Sequence, residues 1–423
     1  MAQTKHTMSF ASVLLLGING VIGSGIFLLP GTLVKDAGWH SVTAIVGAGL
    51  ATTLIALCYA VLASRIDDDG GAWVYADRAF GPLAGFMTGW FSWFLGVITI
   101  AAELAAFLTT LGGLVPLAQT RWGYTVIALV ILGGLTVVNG MGGSAATGLD
   151  DFASAIKVAL LLAVVLVGGW ATLHLWGPVA LPVPTGGGLR PAFVTAFYMF
   201  TGFSFLPIAA QQMRDPARTL PRALLIVMVV VTLGYALVQT VVIGLLGAKV
   251  TATALPVAAS LAAVIGPVGR TVVLLGMLVS ILGVAIAVAF DTPIAMASLA
   301  TEKQLLPSAF GRTNRHGAPI VAICLTMGVA AVLVVSGSYL FLVKLIVLSS
   351  FAQYVMTILA MLKLRRDPAL PQGMRLPGGW LIPLVALGVI AALATSFSPL
   401  TWAIGAAMAG LGGLVYWRDR RQR

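Results

Sequence analysis

Four ionisable side chains stand inside long apolar runs of a 423-residue chain: Glu103 in AAELAAF, Lys157 in DDFASAIKVALLL, Asp291 in VAFDTP and Lys344 in FLVKLIVLSS. An ionised group in hydrocarbon costs roughly 2.5 to 3.5 kcal/mol on insertion scales unless it is paired or hydrated. Each therefore needs a partner, a proton or a route to water. Lys344, near the start of its run, can extend its ammonium to an interface. Glu103 has two chemistries open to it, carrying a proton or pairing with a polar group on a neighbouring helix. Asp291 is followed by Pro293, so capping or hydrating a helix distortion stands beside a coupling role. Lys157 shares one helical face with Asp150, Ser154 and Leu161, at intervals of four, three and four residues. It either snorkels to the surface or stays buried, where an ammonium can donate to carbonyls and exchange its proton.

A second kind of chemistry lies in the backbone. Gly17 to Pro30 reads GINGVIGSGIFLLP and places Gly23, Ser24 and Gly25 together in mid-run. Glycine gives up the most backbone entropy in a helix, so this spacing predicts a broken helix. A helix broken at membrane depth frees amides and carbonyls that hydrocarbon cannot satisfy, so the break must be buried in protein or line a polar cavity. The amides that start the second half suit an anion and the carbonyls that end the first half suit a cation. A zwitterionic amino acid offers both. A second break is predicted in AFYMFTGFSFLPIAAQQ, where Thr201 and Gly202 sit in mid-run and Pro207 follows. The expected binding groups are Val21, Ile22, Gly23, Ser24 and Gly25 at the first break. At the second they are Tyr198, Phe200, Thr201, Gly202, Phe203 and Ser204. The amides around Ser24 and Gly25 would take a carboxylate, and the carbonyls of Val21 and Phe200 an ammonium. Tyr198, Phe203 and Ser204 would face the variable part of the ligand. The competing use of Gly-x-Gly is close helix packing.

The elements that must position these groups are membrane helices. With 59% hydrophobic and 9% charged residues, the chain is excluded from the soluble globular class, in which about a quarter of residues are charged. Runs of about 20 apolar residues predict roughly twelve spans, near 10–34, 42–64, 83–111, 123–140, 152–175, 192–210, 223–247, 268–298, 319–336, 340–362, 379–396 and 400–417. Of the 24 Lys and Arg residues, 17 fall on the side that carries the amino terminus and 5 on the other, the remaining two being Lys157 and Lys344. That bias predicts a multi-pass cell (inner) membrane protein with both termini cytoplasmic. The same basic residues form short clusters rather than a continuous face, so nucleic acid is not an expected partner. The segment after Lys5 is too long for a cleavable signal peptide.

Cys58 and Cys324 lie in apolar spans, and His6, His40, His174 and His316 are scattered, so neither a disulfide framework nor a metal site is expected. No cofactor is implied, and no phosphate-binding G-x-x-x-x-G-K-[ST] loop occurs. No Ser/His or paired Asp arrangement stands within the spans, which argues against an enzyme.

The stretch IGSGIFLLP resembles the first-helix signature of the amino acid, polyamine and organocation (APC) transporter family. DDDGGAWVYADRAFGPLAGFMTGW resembles that family's loop and third-helix entry. RDPARTLPRAL is similar to its element after the sixth helix, with Asp215 where Asn is usual, and LLPSAFGRTNRHGAPI resembles its loop after the eighth. The resemblance covers most of the chain and implies an all-α polytopic fold built as two inverted five-helix repeats, 10–175 and 192–362, with two additional helices, 379–417. Helices one and six would be broken around the substrate. DDFASAIKVALLL resembles a fifth-helix segment in which sodium-independent neutral amino acid carriers place a lysine where sodium-coupled relatives bind an ion. Lys157 would then stand in for that ion, tying the fifth helix to carbonyls near Ile22 and to the eighth helix, where Ser280 comes early and Asp291 late for a partner.

The expected function is that of a sodium-independent secondary transporter of neutral L-amino acids, working by alternating access as a proton-coupled carrier, exchanger or exporter. Its partners would be the amino acid and the lipid bilayer. A cationic amino acid or polyamine antiporter is the alternative. Several of those carry an acidic residue where this chain has Ser204, and they tend to lack the fifth-helix lysine. A membrane sensor or channel with the same fold is the reading from a different class.

Overall fold

The computed structural model describes residues 9–66, 71–142, 146–174, 183–213, 215–301, 304–376 and 378–421. The first span is split into α1 (Phe10–Val21), α2 (Gly25–Leu28) and α3 (Pro30–Ala37), followed by α4 (Ser41–Ala63), α5 (Ala72–Phe80), α6 (Pro82–Leu111) and α7 (Arg121–Gly140). Next come α8 (Ala146–Ala163) and α9 (Gly169–His174), joined by a π-helical stretch at Val164–Gly168. After α10 (Leu189–Tyr198) the chain winds as a tight 3₁₀ helix over Thr201–Gln212, then as α11 (Pro216–Leu246) and α12 (Pro256–Thr301). It closes with α13 (Ile320–Ser336), α14 (Tyr339–Leu364), α15 (Leu381–Ala394) and α16 (Pro399–Arg421). Among the described residues, eight helical spans are long and apolar enough to cross a membrane, and α1, α13 and α15 are shorter apolar helices. The chain is an all-α polytopic membrane protein.

Helical stretches fall where the apolar runs predicted them, and the departures have local causes. The stretch expected as a loop before the third span holds α5, which Gly81 separates from α6 at φ 88, a value that strains a residue with a side chain. The eighth span starts early, at Pro256, but Gly266 at φ 78 kinks it and Pro267 begins the straight part. The fifth span carries the π stretch, which apolar periodicity gave no sign of.

Burial separates an inner from an outer set of helices. In α6, 78% of the most apolar window is buried, and in α14 72%, against 22% in α7 and 22% in α16. α6 is therefore the post around which α12, α14, α5 and α13 pack, while α4 packs on α11, α10 and α14. Small residues set the approach of α8 to α12: a Cβ on Gly276 would meet Leu160 Cδ2 at 3.4 Å, and one on Gly283 would overlap Ala153. At the far end of α4, Arg65 fans its guanidinium over the chain beyond α14. Nη1 donates to Leu364 O at 2.8 Å, Nη2 to Asp367 O at 2.9 Å and Nε to Pro371 O at 3.0 Å. The fixed fork of donors suits the free carbonyls at a helix C-terminus.

Candidate substrate site

Ile22 takes an extended conformation at φ −81 and ψ 96, which ends α1, and the chain re-enters helix at Gly25. An α-helix leaves its last four carbonyls without intrahelical partners, and here each meets a different group. Ile18 O accepts from Ile22 N at 3.0 Å. Asn19 O lies 3.3 Å from Lys157 Nζ, and that ammonium also donates to Asn19 Oδ1 at 2.6 Å. Gly20 O packs against Gly202, where an added Cβ would overlap it. Val21 O accepts from the Tyr235 hydroxyl at 3.2 Å.

The amide side of the break is occupied by an acid. Ser24 donates its backbone N–H to Glu103 Oε1 at 3.2 Å and its hydroxyl to the same oxygen at 3.0 Å. The Ser24 hydroxyl also lies 3.0 Å from that of Tyr339. Glu103 is 2% exposed, and among the described residues its Oε2 has no hydrogen-bond partner. Room for the carboxylate depends on Gly23, whose Cβ would stand 2.9 Å from Oε1.

The second break opens at Met199 and Phe200, between α10 and the 3₁₀ helix. Met199 O lies 3.2 Å from the same Tyr235 hydroxyl that reaches Val21, so one phenol spans both breaks. Thr201 O accepts from Tyr354 at 3.1 Å and from Ser204 Oγ at 3.3 Å, while Thr201 Oγ1 donates to Tyr198 O at 2.8 Å. The two breaks touch at Gly20 and Gly202, which explains the glycine at 202 by close backbone approach.

The predicted residues thus divide into those at the junction of the breaks and those beside it. Val21, Ile22, Gly23, Ser24, Gly25, Thr201 and Gly202 line the junction. Tyr198 lies against Gly25, whose Cβ would be 3.1 Å from Tyr198 Cε1, and its ring meets Tyr339 edge to face at 6.4 Å. Phe200 packs on Tyr235 at 5.2 Å, and Phe203 on Tyr59 and Tyr354 at 5.4 and 5.3 Å. Ser204 is buried beside them and bonds locally. Glu103 pairs with a neighbouring helix, one of the two chemistries open to it. Lys157, 1% exposed, meets Asn19 at the end of α1, three residues before Ile22. On the eighth span, Ser280 lies between Gly276 and Gly283 on the face that packs against α8; its hydroxyl is buried with no hydrogen bond to any described residue. Asp291 and Lys344 are exposed and stand apart from the junction. Among the described residues no group of three or more His, Cys, Asp or Glu could hold a metal ion.

Asn19, Tyr235, Tyr339 and Tyr354 are further residues at the junction, beyond those expected from the sequence. Their signal was a polar atom in an apolar run: a buried phenol requires a hydrogen-bond partner, and Tyr235 in LGYALVQ could find none on its own helix face.

Paired helix interruptions, buried within a polytopic bundle and meeting at their free backbone, define a membrane transporter. The chain belongs to the amino acid permease family, whose profile matches residues 8–412. It is 30% identical to an uncharacterized transporter of Mycobacterium bovis over 93% of this chain and 88% of the relative. It is 26% identical to a methylthioribose transporter of Bacillus subtilis, over 100% and 96%. It is 27% identical to a branched-chain amino acid permease of Bacillus subtilis, over 90% and 86%. The chain is a transporter and not an enzyme.

Proposed function

We propose that this protein carries neutral L-amino acids across the cell membrane without sodium, by alternating access of two five-helix halves, 10–175 and 192–362, with both termini cytoplasmic. The observation that carries the reading is the buried ammonium of Lys157 at Asn19 O and Oδ1: a positive charge sits where the first helix ends, a place a bound cation would otherwise neutralise. An amino acid at the junction would present its carboxylate to the amides of Ser24 and Gly25 and its ammonium to the carbonyls of Val21 and its neighbours. The aromatic rings of Tyr198, Phe200 and Phe203 support an uncharged side chain. The branched-chain permease among the relatives agrees with that class. Glu103, bonded to Ser24, is a proposed proton site, and Lys157, while protonated, holds the first helix in its substrate-competent form, so that loss of its proton releases that form and couples transport to pH.

A second reading, a cationic amino acid or polyamine as substrate, is favoured by Glu103 Oε2, a buried acceptor with no partner among the described residues. Counterflow in liposomes separates the two. The parent protein, loaded with unlabelled leucine, valine, arginine, putrescine or methylthioribose, is expected to accelerate tracer uptake with the neutral amino acids, equally in sodium and in choline buffer. Acceleration by arginine or putrescine alone establishes the second reading. Dependence on sodium overturns the role given to Lys157.

A further inference from the structure

Both polar edges of the junction are already engaged by the protein's own side chains. On the amide edge a carboxylate oxygen, Glu103 Oε1, receives the Ser24 N–H and hydroxyl. On the carbonyl edge the Tyr235 hydroxyl stands 3.2 Å from Val21 O and 3.2 Å from Met199 O. A carboxylate on the amides and a donor on the carbonyls is the polarity pattern that a zwitterion would bring. Tyr235 is 1% exposed and its ring packs on Phe200. Its hydroxyl carries one proton for two acceptors, so the pair remains short of one donor, which an ammonium with three protons would supply.

We propose that Tyr235, with Glu103 opposite it, is an internal stand-in for the substrate, bridging the two broken helices when the site is empty. An unfilled junction would leave free backbone groups buried, at a cost that disfavours closing around nothing. The Tyr235 hydroxyl removes part of that cost by tying the end of α1, 214 residues away in the chain, to the end of α10, 36 residues away. The empty carrier can then change its facing. Once substrate is bound, the ligand bridges the same two breaks and the phenol is no longer required. This inference rests on the reading that the ligand lies between the breaks.

The two halves of the transport cycle separate the roles. Exchange passes only through loaded forms, whereas net efflux requires the empty carrier to return. Tyr235→Phe keeps the ring on Phe200 and removes the bridging proton. In liposomes its net efflux is expected to fall about fivefold further than its counterflow does, the scale of one neutral hydrogen bond. Equal loss of both fluxes makes Tyr235 a structural prop and overturns the inference, as does equal retention of both. A parent protein without counterflow for any amino acid overturns the substrate reading, and this inference with it. Counterflow in the parent with an unchanged ratio in Tyr235→Phe overturns the inference alone.

Discussion

At the first break two ionisable groups meet the free backbone, Lys157 on the carbonyl of Asn19 and Glu103 on the amide of Ser24, beside the Tyr235 hydroxyl on Val21 O. At the second the groups are neutral hydroxyls, from Tyr235, Tyr354, Thr201 and Ser204. A hydrogen bond to an ionised group is about twice as strong as a neutral one, and only the ionised kind can be switched by a proton. On the proposed reading the contrast makes the first helix the one whose conformation responds to charge, while the second is held at a strength that pH leaves alone.

The contact between the breaks offers the largest effect. A Cβ on Gly202 would overlap Gly20 O, whereas one on Gly20 would stand 3.7 Å from Gly202 O. The overlap with rigid backbone should cost at least the ~1–3 kcal/mol of ordinary overpacking. Gly202→Ala is therefore expected to abolish transport, and Gly20→Ala to leave it within about twofold; the pair is measured by uptake and by thermal unfolding in detergent. Equal tolerance would show that the breaks need not touch.

Next comes the charge at the first break. Lys157→Gln keeps a donor for Asn19 but never carries charge, so accumulation driven by an imposed pH gradient should disappear while counterflow survives. Weaker binding with unchanged pH dependence would make the lysine structural, and behaviour identical to the parent would remove it from the coupling machinery. The smallest effect is expected at the second break. Tyr354→Phe removes one neutral bond to Thr201 O, about 1 kcal/mol or a fivefold loss of affinity. Its pH profile should match the parent's, and a shifted profile would end the distinction between the two breaks.

Much of this arrangement was legible in residue types. Gly23, Ser24 and Gly25 announced the first interruption and Thr201 and Gly202 the second, because glycine and membrane-depth backbone obey strong local rules. Lys157 and Glu103 stood out because charge in an apolar run demands a reason. What periodicity could not supply was partnership. It places Lys157 on a helix face but cannot say that Asn19, 138 residues earlier, lies opposite. Nor can it say that one phenol on α11 reaches α1 and the end of α10 together. The π stretch at Val164–Gly168 was hidden for a related reason, since an inserted residue shifts the face without changing the apolar character of VVLVG.

The guanidinium of Arg65 has a consequence for how the molecule is made. Its carbonyl acceptors, Leu364, Asp367 and Pro371, lie 299 to 306 residues further along the chain. During synthesis the arginine at the end of α4 must wait through the insertion of every helix from α5 to α14 before its acceptors exist. Translation at about 5 to 20 residues per second makes that interval about 15 to 60 seconds. The fork then closes on the last residues of α14 and the chain beyond it, so that α4 is fastened there only after α14 has been delivered. A ribosome that stalls before Leu364 leaves a bundle in which the end of α4 still carries an open positive charge.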